Sequence, residues 1–268
     1  SMIVVVGPFS DSSSAFPQFT SGGPITYNNG ICNLGDPSIR QSAATAFEIS
    51  TSDQLWEVTD CVSANATIHF KLGADINVSE AVSAPTASPI GYGISGSVQS
   101  FSGILDGQNK LVSGIDMSTT SYGVGLFALL ENATISNLVI DGSFETTTTN
   151  QSRQESAGAL AIQTKGTISL YSISNLAQVT GSASVGGLLG HVYEGVLSIV
   201  SSSNTGSIFG SASGVGGLVG AANGTVASIQ NSHNSGEVFG QLGVGGLLGE
   251  AYELNVSFST NNAPVTSV

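Results

Sequence analysis

Apolar residues return along this chain in short runs rather than in long blocks. Over its second half, runs of five or six positions are parted by glycine, asparagine and serine, a length that suits strands. The clearest marker is VGGLLG at 185–190, which returns as VGGLVG at 215–220 and VGGLLG at 244–249. Degenerate copies begin at Val124 (VGLFAL) and Ala157 (AGALAI). Each copy leads into a second apolar run, GTISLYS, GVLSIVS or GTVASIQ, starting at Gly166, Gly195 and Gly224. An asparagine follows, at Asn175, Asn204 and Asn234, and four residues later an apolar side chain, Val179, Ile208 and Val238. The final copy keeps Asn261 and Val265.

A unit of about 30 residues holding three short strands has no room for helical crossovers. Antiparallel hairpins in a sandwich would not require matched positions in every unit, and here the positions match. The pattern therefore predicts an all-β chain: a parallel β-helix whose coils stack about 4.8 Å apart. Asn175, Asn204 and Asn234 then read as a structural ladder of side-chain amides along the axis, with ligand binding as the competing role. VGGLLG becomes one wall of the coil. It lacks the third glycine of a dinucleotide fingerprint and the lysine of a phosphate loop. The pattern does not choose between Leu188 and Leu189 as its inward residue.

Upstream the periodicity changes. Residues 50–62 predict a short helix, with Leu55, Val58 and Val62 at helical spacing and Thr51 with Gln54 as a capping box. Residues 67–79 alternate as a strand, and residues 101–117 hold two strand-like pieces around Asp106-Gly107. The expected organisation is an N-terminal capping region over residues 1–66, containing the helix, and a β-helix over residues 67–268. The opening Ser1-Met2 reads as an expression scar, and the last coil carries no evident cap, so the chain is expected to be a segment of a longer protein.

At this point the order FEISTSDQL, KLGADINVS, SPIG, FSGILDGQNKLVSGIDM, VGLFALLENATISNLVIDG and the three VGGLLG-type motifs resembles the GLUG-repeat proteins. These occur among bacterial surface adhesins and in accessory regions of immunoglobulin-A-cleaving zinc peptidases. The resemblance covers the chain from about Phe47 onward. It implies a right-handed parallel β-helix on a secreted or cell-surface protein, usually without catalysis, and it transfers no catalytic residue.

Charge narrows the partners. The formal net charge is −13, and charged residues make up only 9 % of the chain. The five basic residues, Arg40, Lys71, Lys110, Arg153 and Lys165, form no cluster in the sequence. Nucleic acid, which is held through several phosphate contacts, is not an expected partner. No stretch of about 20 apolar residues exists to span a bilayer. A surface ligand, glycan or host protein, is the expected partner of an extracellular monomer. Cys32 and Cys61 form a candidate disulfide under that reading, two buried free thiols otherwise.

Candidate chemistry is sparse. The zinc-peptidase pattern HExxH is absent. His191 aligns with Ala221 and Glu250, and His233 with Ser203, so stacking does not unite the histidines. No EF-hand or glycine–aspartate calcium repeat appears, which leaves incidental calcium as the sole cofactor to consider. A carbohydrate-active β-helix enzyme, lyase or hydrolase, is the alternative to adhesion, with a purely structural stalk as a third reading. Its carboxylates would come from Asp106, Asp116, Asp141 and Glu145. Six N-x-S/T sequons, at Asn65, Asn77, Asn132, Asn150, Asn223 and Asn255, are candidate glycan sites. The least apolar stretch, residues 141–158, reads as a loop leaving the coil, and Phe144, Thr147, Asn150 and Arg153 are its candidate binding residues.

Overall fold

Val185, Val215 and Val244 stand one above another, each paired with the next in parallel register. So do Leu105, Ile135, Leu170, Ile199 and Ile229 along the central strands. The chain is a parallel β-solenoid with one short helix near its N-terminus. The structure is a computed structural model that describes residues 20–24, 26–28, 31–33, 45–64, 68–80, 88–92, 97–120, 122–147 and 156–268. The parallel ladder also runs N-terminal to residue 67, because Thr20–Pro24 pairs with Thr45–Ile49 and Thr45–Ile49 with Phe70–Leu72.

The helix, α1, spans Ser52–Ala64. Thr51 caps it: the Gln54 amide donates to Thr51 Oγ1 at 3.3 Å, while the Gln54 side chain accepts from the Ser50 amide at 2.8 Å. The return arm of the capping box thus lands one residue earlier than the simple pattern puts it. Leu55, Val58 and Val62 are buried, so the expected face is the packed one. The single strand expected over 67–79 is divided into Phe70–Leu72 and Ile76–Asn77, followed by a 3-10 turn at Val78–Glu80.

Corners are made by left-handed residues. Asn137, Ser172, Ser201, Asn231 and Phe258 have φ of 52°, 53°, 52°, 48° and 49°, one in each successive coil. Gln108 and Asn109 form a wider corner at φ of 51° and 58°, and the register between Ile104–Thr119 and Thr134–Thr146 shifts there. That shift divides the first of these strands into the two pieces expected around Asp106-Gly107. Asp106 holds the corner, accepting from the Gln108 amide and from Asn137 Nδ2, each at 3.0 Å, and from the Gln108 side chain.

The interior has two characters. In the lower coils Phe47, Phe70, Phe101 and Phe127 succeed one another as buried rings, with centroids 6.5, 6.1 and 5.2 Å apart. At the neighbouring inward column the lower coils carry Ile76, Val112 and Ile140; the next coil places Asn175 on Ile140, and Asn204, Asn234 and Asn261 follow. Asn175, Asn204 and Asn234 are fully buried. Each donates from Nδ2 to the Oδ1 of the next asparagine at 2.7 Å, and to the backbone carbonyl two residues on at 2.8–2.9 Å. A buried amide left unbonded costs more than one that never left water, so the ladder is stable because each rung answers the next.

The ladder explains VGGLLG. Its Val-Gly pairs form a short sheet of their own, from Ala157–Gly158 through Val185–Gly186 and Ser213–Gly216 to Leu242–Gly245. The second glycine then turns the corner beside the asparagine. A Cβ built on Gly187 would lie 2.6 Å from Asn204 Cγ, one on Gly217 2.4 Å from Asn234 Cγ, and one on Gly246 2.5 Å from Asn261 Cγ. The glycine is the space the amide occupies. Leu188 and Leu189 are both fully buried, because the corner turns the chain across them.

Candidate binding face

One side of the solenoid is built from the strand that follows each ladder position. Phe144, Val179, Ile208 and Val238 lie in parallel register and are buried to 1 % exposure or less. Alternation then turns their neighbours outward. Two columns result: Ser143, Gln178, Ser207 and Glu237 in one, and Glu145, Thr180, Phe209 and Phe239 in the other. Together these side chains line an open groove of about 520 Å³.

Phe209 and Phe239 are its apolar feature. Their rings lie 4.9 Å apart and within 4° of parallel, and Phe209 is 40 % exposed. The pair is bounded by threonines in register, Thr180 below and Thr266 above. Two carboxylates share the groove, Glu145 and Glu237. They stand three coil steps apart, about 14 Å along the axis at about 4.8 Å per step.

This placement corrects the loop expected over residues 141–158 as far as Thr146, which still belongs to a strand of the coil. Phe144 is a core residue at 0 % exposure, within the strand Thr134–Thr146 and stacked between Met117 and Val179. The alternation of Ser-Phe-Glu carries it inward despite its polar neighbours. Thr147 is exposed just beyond that strand. Asn150 and Arg153 lie outside the described residues, as do Asn65 and Arg40.

The other candidates are separated. His191 aligns with Ala221 and then Glu250, and Ser203 with His233, as the repeat requires. His191 stacks on Tyr193 with centroids 4.1 Å apart, and its buried Nε2 has no hydrogen-bond partner among the described residues. Burial holds its pKa below the ordinary value, and the same cause lowers His69, whose Nδ1 accepts from the Ile104 amide at 3.1 Å. Lysines pair with glutamates on the adjacent coil: Lys71 with Glu48 at 3.3 Å and Lys165 with Glu131 at 3.0 Å. The Lys165 hydrogen bond holds the Glu131 carboxyl below the usual range and raises Lys165 in turn. Among the described residues, no group of three His, Cys, Asp or Glu side chains could hold a metal ion, and no helix is long and apolar enough to cross a membrane. Cys61 is buried on α1 and disulfide-bonded; Cys32 is the chain's other cysteine.

Sequence reasoning missed a second ladder. Ser202, Ser232 and Ser259 each accept, through Oγ, the amide of the residue one coil below, Ile173, Ser202 and Ser232, at 3.0–3.1 Å. Each hydroxyl donates in turn to the carbonyl two residues earlier in the chain, at 2.8–3.0 Å. The signal was a serine two places before Asn204, Asn234 and Asn261, masked by how common serine is.

No protein-family model matches the chain, and no curated protein matches it. Among solved structures it is similar to the crystal structure of a putative immunoglobulin A1 protease from Bacteroides ovatus, with a TM-score of 0.62 at 17 % sequence identity. The similarity covers 82 % of this chain and 68 % of that one. At such identity the likeness is one of fold.

Proposed function

We propose that this chain is the adhesin-type binding region of a larger extracellular protein, built of GLUG-type repeats and attaching to a host or surface ligand. The observation that carries this reading is the groove around Phe209 and Phe239: an exposed, ordered aromatic pair among carboxylates, an amide and hydroxyls on a rigid sheet. Stacked coils hold such a face without a conformational cost on binding. The disulfide at Cys61 fits an oxidising compartment outside the cell. The solenoid likeness to the Bacteroides ovatus protein is in keeping with the peptidase-associated GLUG proteins that the sequence resembles.

The enzymatic alternative would use Glu145 and Glu237. Glycoside hydrolysis places its two carboxylates about 5–9.5 Å apart, and about 14 Å along the axis is too far for one scissile bond. The groove therefore favours binding over hydrolysis. The test is binding of the purified chain to host cells, matrix proteins and a glycan array. Binding that falls in a Phe209→Ala, Phe239→Ala double variant supports the reading. Depolymerisation of a polysaccharide would replace it with the enzymatic one, and a chain that binds no surface would leave the stalk.

A further inference from the structure

The groove has a charge pattern that points to a particular ligand. Among the described residues, Glu145 and Glu237 have no cation beside them: Lys71 and Lys165 are engaged with Glu48 and Glu131, and Lys110 lies on another face, in register with Leu138. The whole chain adds a formal charge of −13, so the field at this face attracts cations and repels acidic glycans. Phe209 stands two coils above Glu145, and Phe239 shares the coil of Glu237; an aromatic surface near carboxylates favours an ammonium or guanidinium carried on an apolar stem.

Resting on the binding reading above, we infer that the groove takes an extended, basic protein segment running along the solenoid axis. The spacing fixes its pattern. An extended chain rises about 3.4 Å per residue and turns alternate side chains to the same face, so residues four apart span about 14 Å on one side. Cations at the first and fifth positions reach Glu145 and Glu237. The third position, on the same side and about 7 Å along, falls between Thr180 and Phe209 and is apolar, to lie against the near ring of Phe209. The recognised element is Lys/Arg-x-apolar-x-Lys/Arg in extended form, with Gln178, Thr180 and Ser207 available to its polar groups.

The experiment uses a fluorescently labelled peptide containing Lys-Ser-Phe-Ser-Lys, read by anisotropy against the purified chain. Controls are a peptide with glutamates for the lysines, one with its two lysines adjacent, and a neutral β-linked oligosaccharide. The expected result is binding of the first peptide alone. Its affinity drops about tenfold in Glu145→Gln, in Glu237→Gln and in Phe209→Ala, and falls as salt is raised. All three substitutions are on the surface, and an unchanged melting curve confirms that each variant is folded. Equal binding to wild type and variants, or equal binding of the adjacent-lysine peptide, overturns the inference. Capture of the neutral oligosaccharide, lost in Phe209→Ala but not in the glutamine variants, overturns it while leaving the binding region standing. If peptide, oligosaccharide and the cell and glycan surfaces above are all ignored, both readings fall together.

Discussion

The lower and upper coils solve the same packing problem in opposite ways. Below, the inward column is Ile76, Val112 and Ile140, and the coil that carries Ile140 has Leu126 at the motif's corner. Above, the column is Asn204, Asn234 and Asn261 and the corner is Gly187, Gly217 and Gly246. The coil of Asn175 and Ala159 is intermediate. The two positions change together: isoleucine in the column with leucine at the corner gives way to asparagine with glycine. The lower coils gain from apolar burial, which tolerates slippage between similar side chains. The upper coils gain from directional bonds, which hold one register and no other.

Substitutions can break this contrast. The largest effect is expected for Gly217→Leu, which puts in the upper corner the residue the lower corner accepts. Its side chain would meet Asn234 and the Gly246 carbonyl, and a loss above about 4 kcal/mol is expected in denaturant unfolding. A loss under about 1 kcal/mol would show that amide and glycine are not coupled. Next comes Phe101→Ala, which opens a cavity in the lower ring stack, at about 3–5 kcal/mol.

Asn204→Ala follows at about 3 kcal/mol, because it strips partners from Asn175, Asn234 and Gly206 together. Asn204→Ile should be no better, although Ile140 fills the same column two coils below. If isoleucine restored stability there, the two halves would differ in sequence only.

The smallest effect concerns pH. The folded-state pKa of His191 lies below its ordinary 6.5, so the unfolded chain binds the proton more tightly. The stability this neutral imidazole permits is present above about pH 6.5 and is lost as pH falls through the lower folded value. His191→Gln, which copies Gln163 of the coil below, should flatten the fall in melting temperature between pH 7 and 5. An unchanged slope would place the titration elsewhere.

Periodicity explains what could be read in advance. Val185, Val215 and Val244, and the asparagines with them, recur at one interval, so a stacked coil was legible before any coordinate. The groove was not. Phe209 and Phe239 recur at the same interval, and Gln178 and Thr180 hold the equivalent places around Val179, but their residue types differ, and Glu145 lies below the clear repeats, so the groove forms only through stacking across four coils. Phe144 was misplaced because the polarity of residues 141–158 spoke louder than two steps of alternation. The serine ladder was hidden by composition, since a residue that is common everywhere leaves little contrast when it recurs. Leu188 and Leu189 could not be told apart because the strand rule of opposite faces fails at a corner.

The coil spacing carries a consequence for reach. About 30 residues laid out straight would cross roughly 100 Å, yet wound into one coil they lengthen the molecule by only about 4.8 Å. Nearly all of that chain goes into area: another row on each flank, held flat by the rows beside it. Such a molecule is poor at bridging distance and good at widening a face, and each added coil lengthens the strip that a partner can lie along.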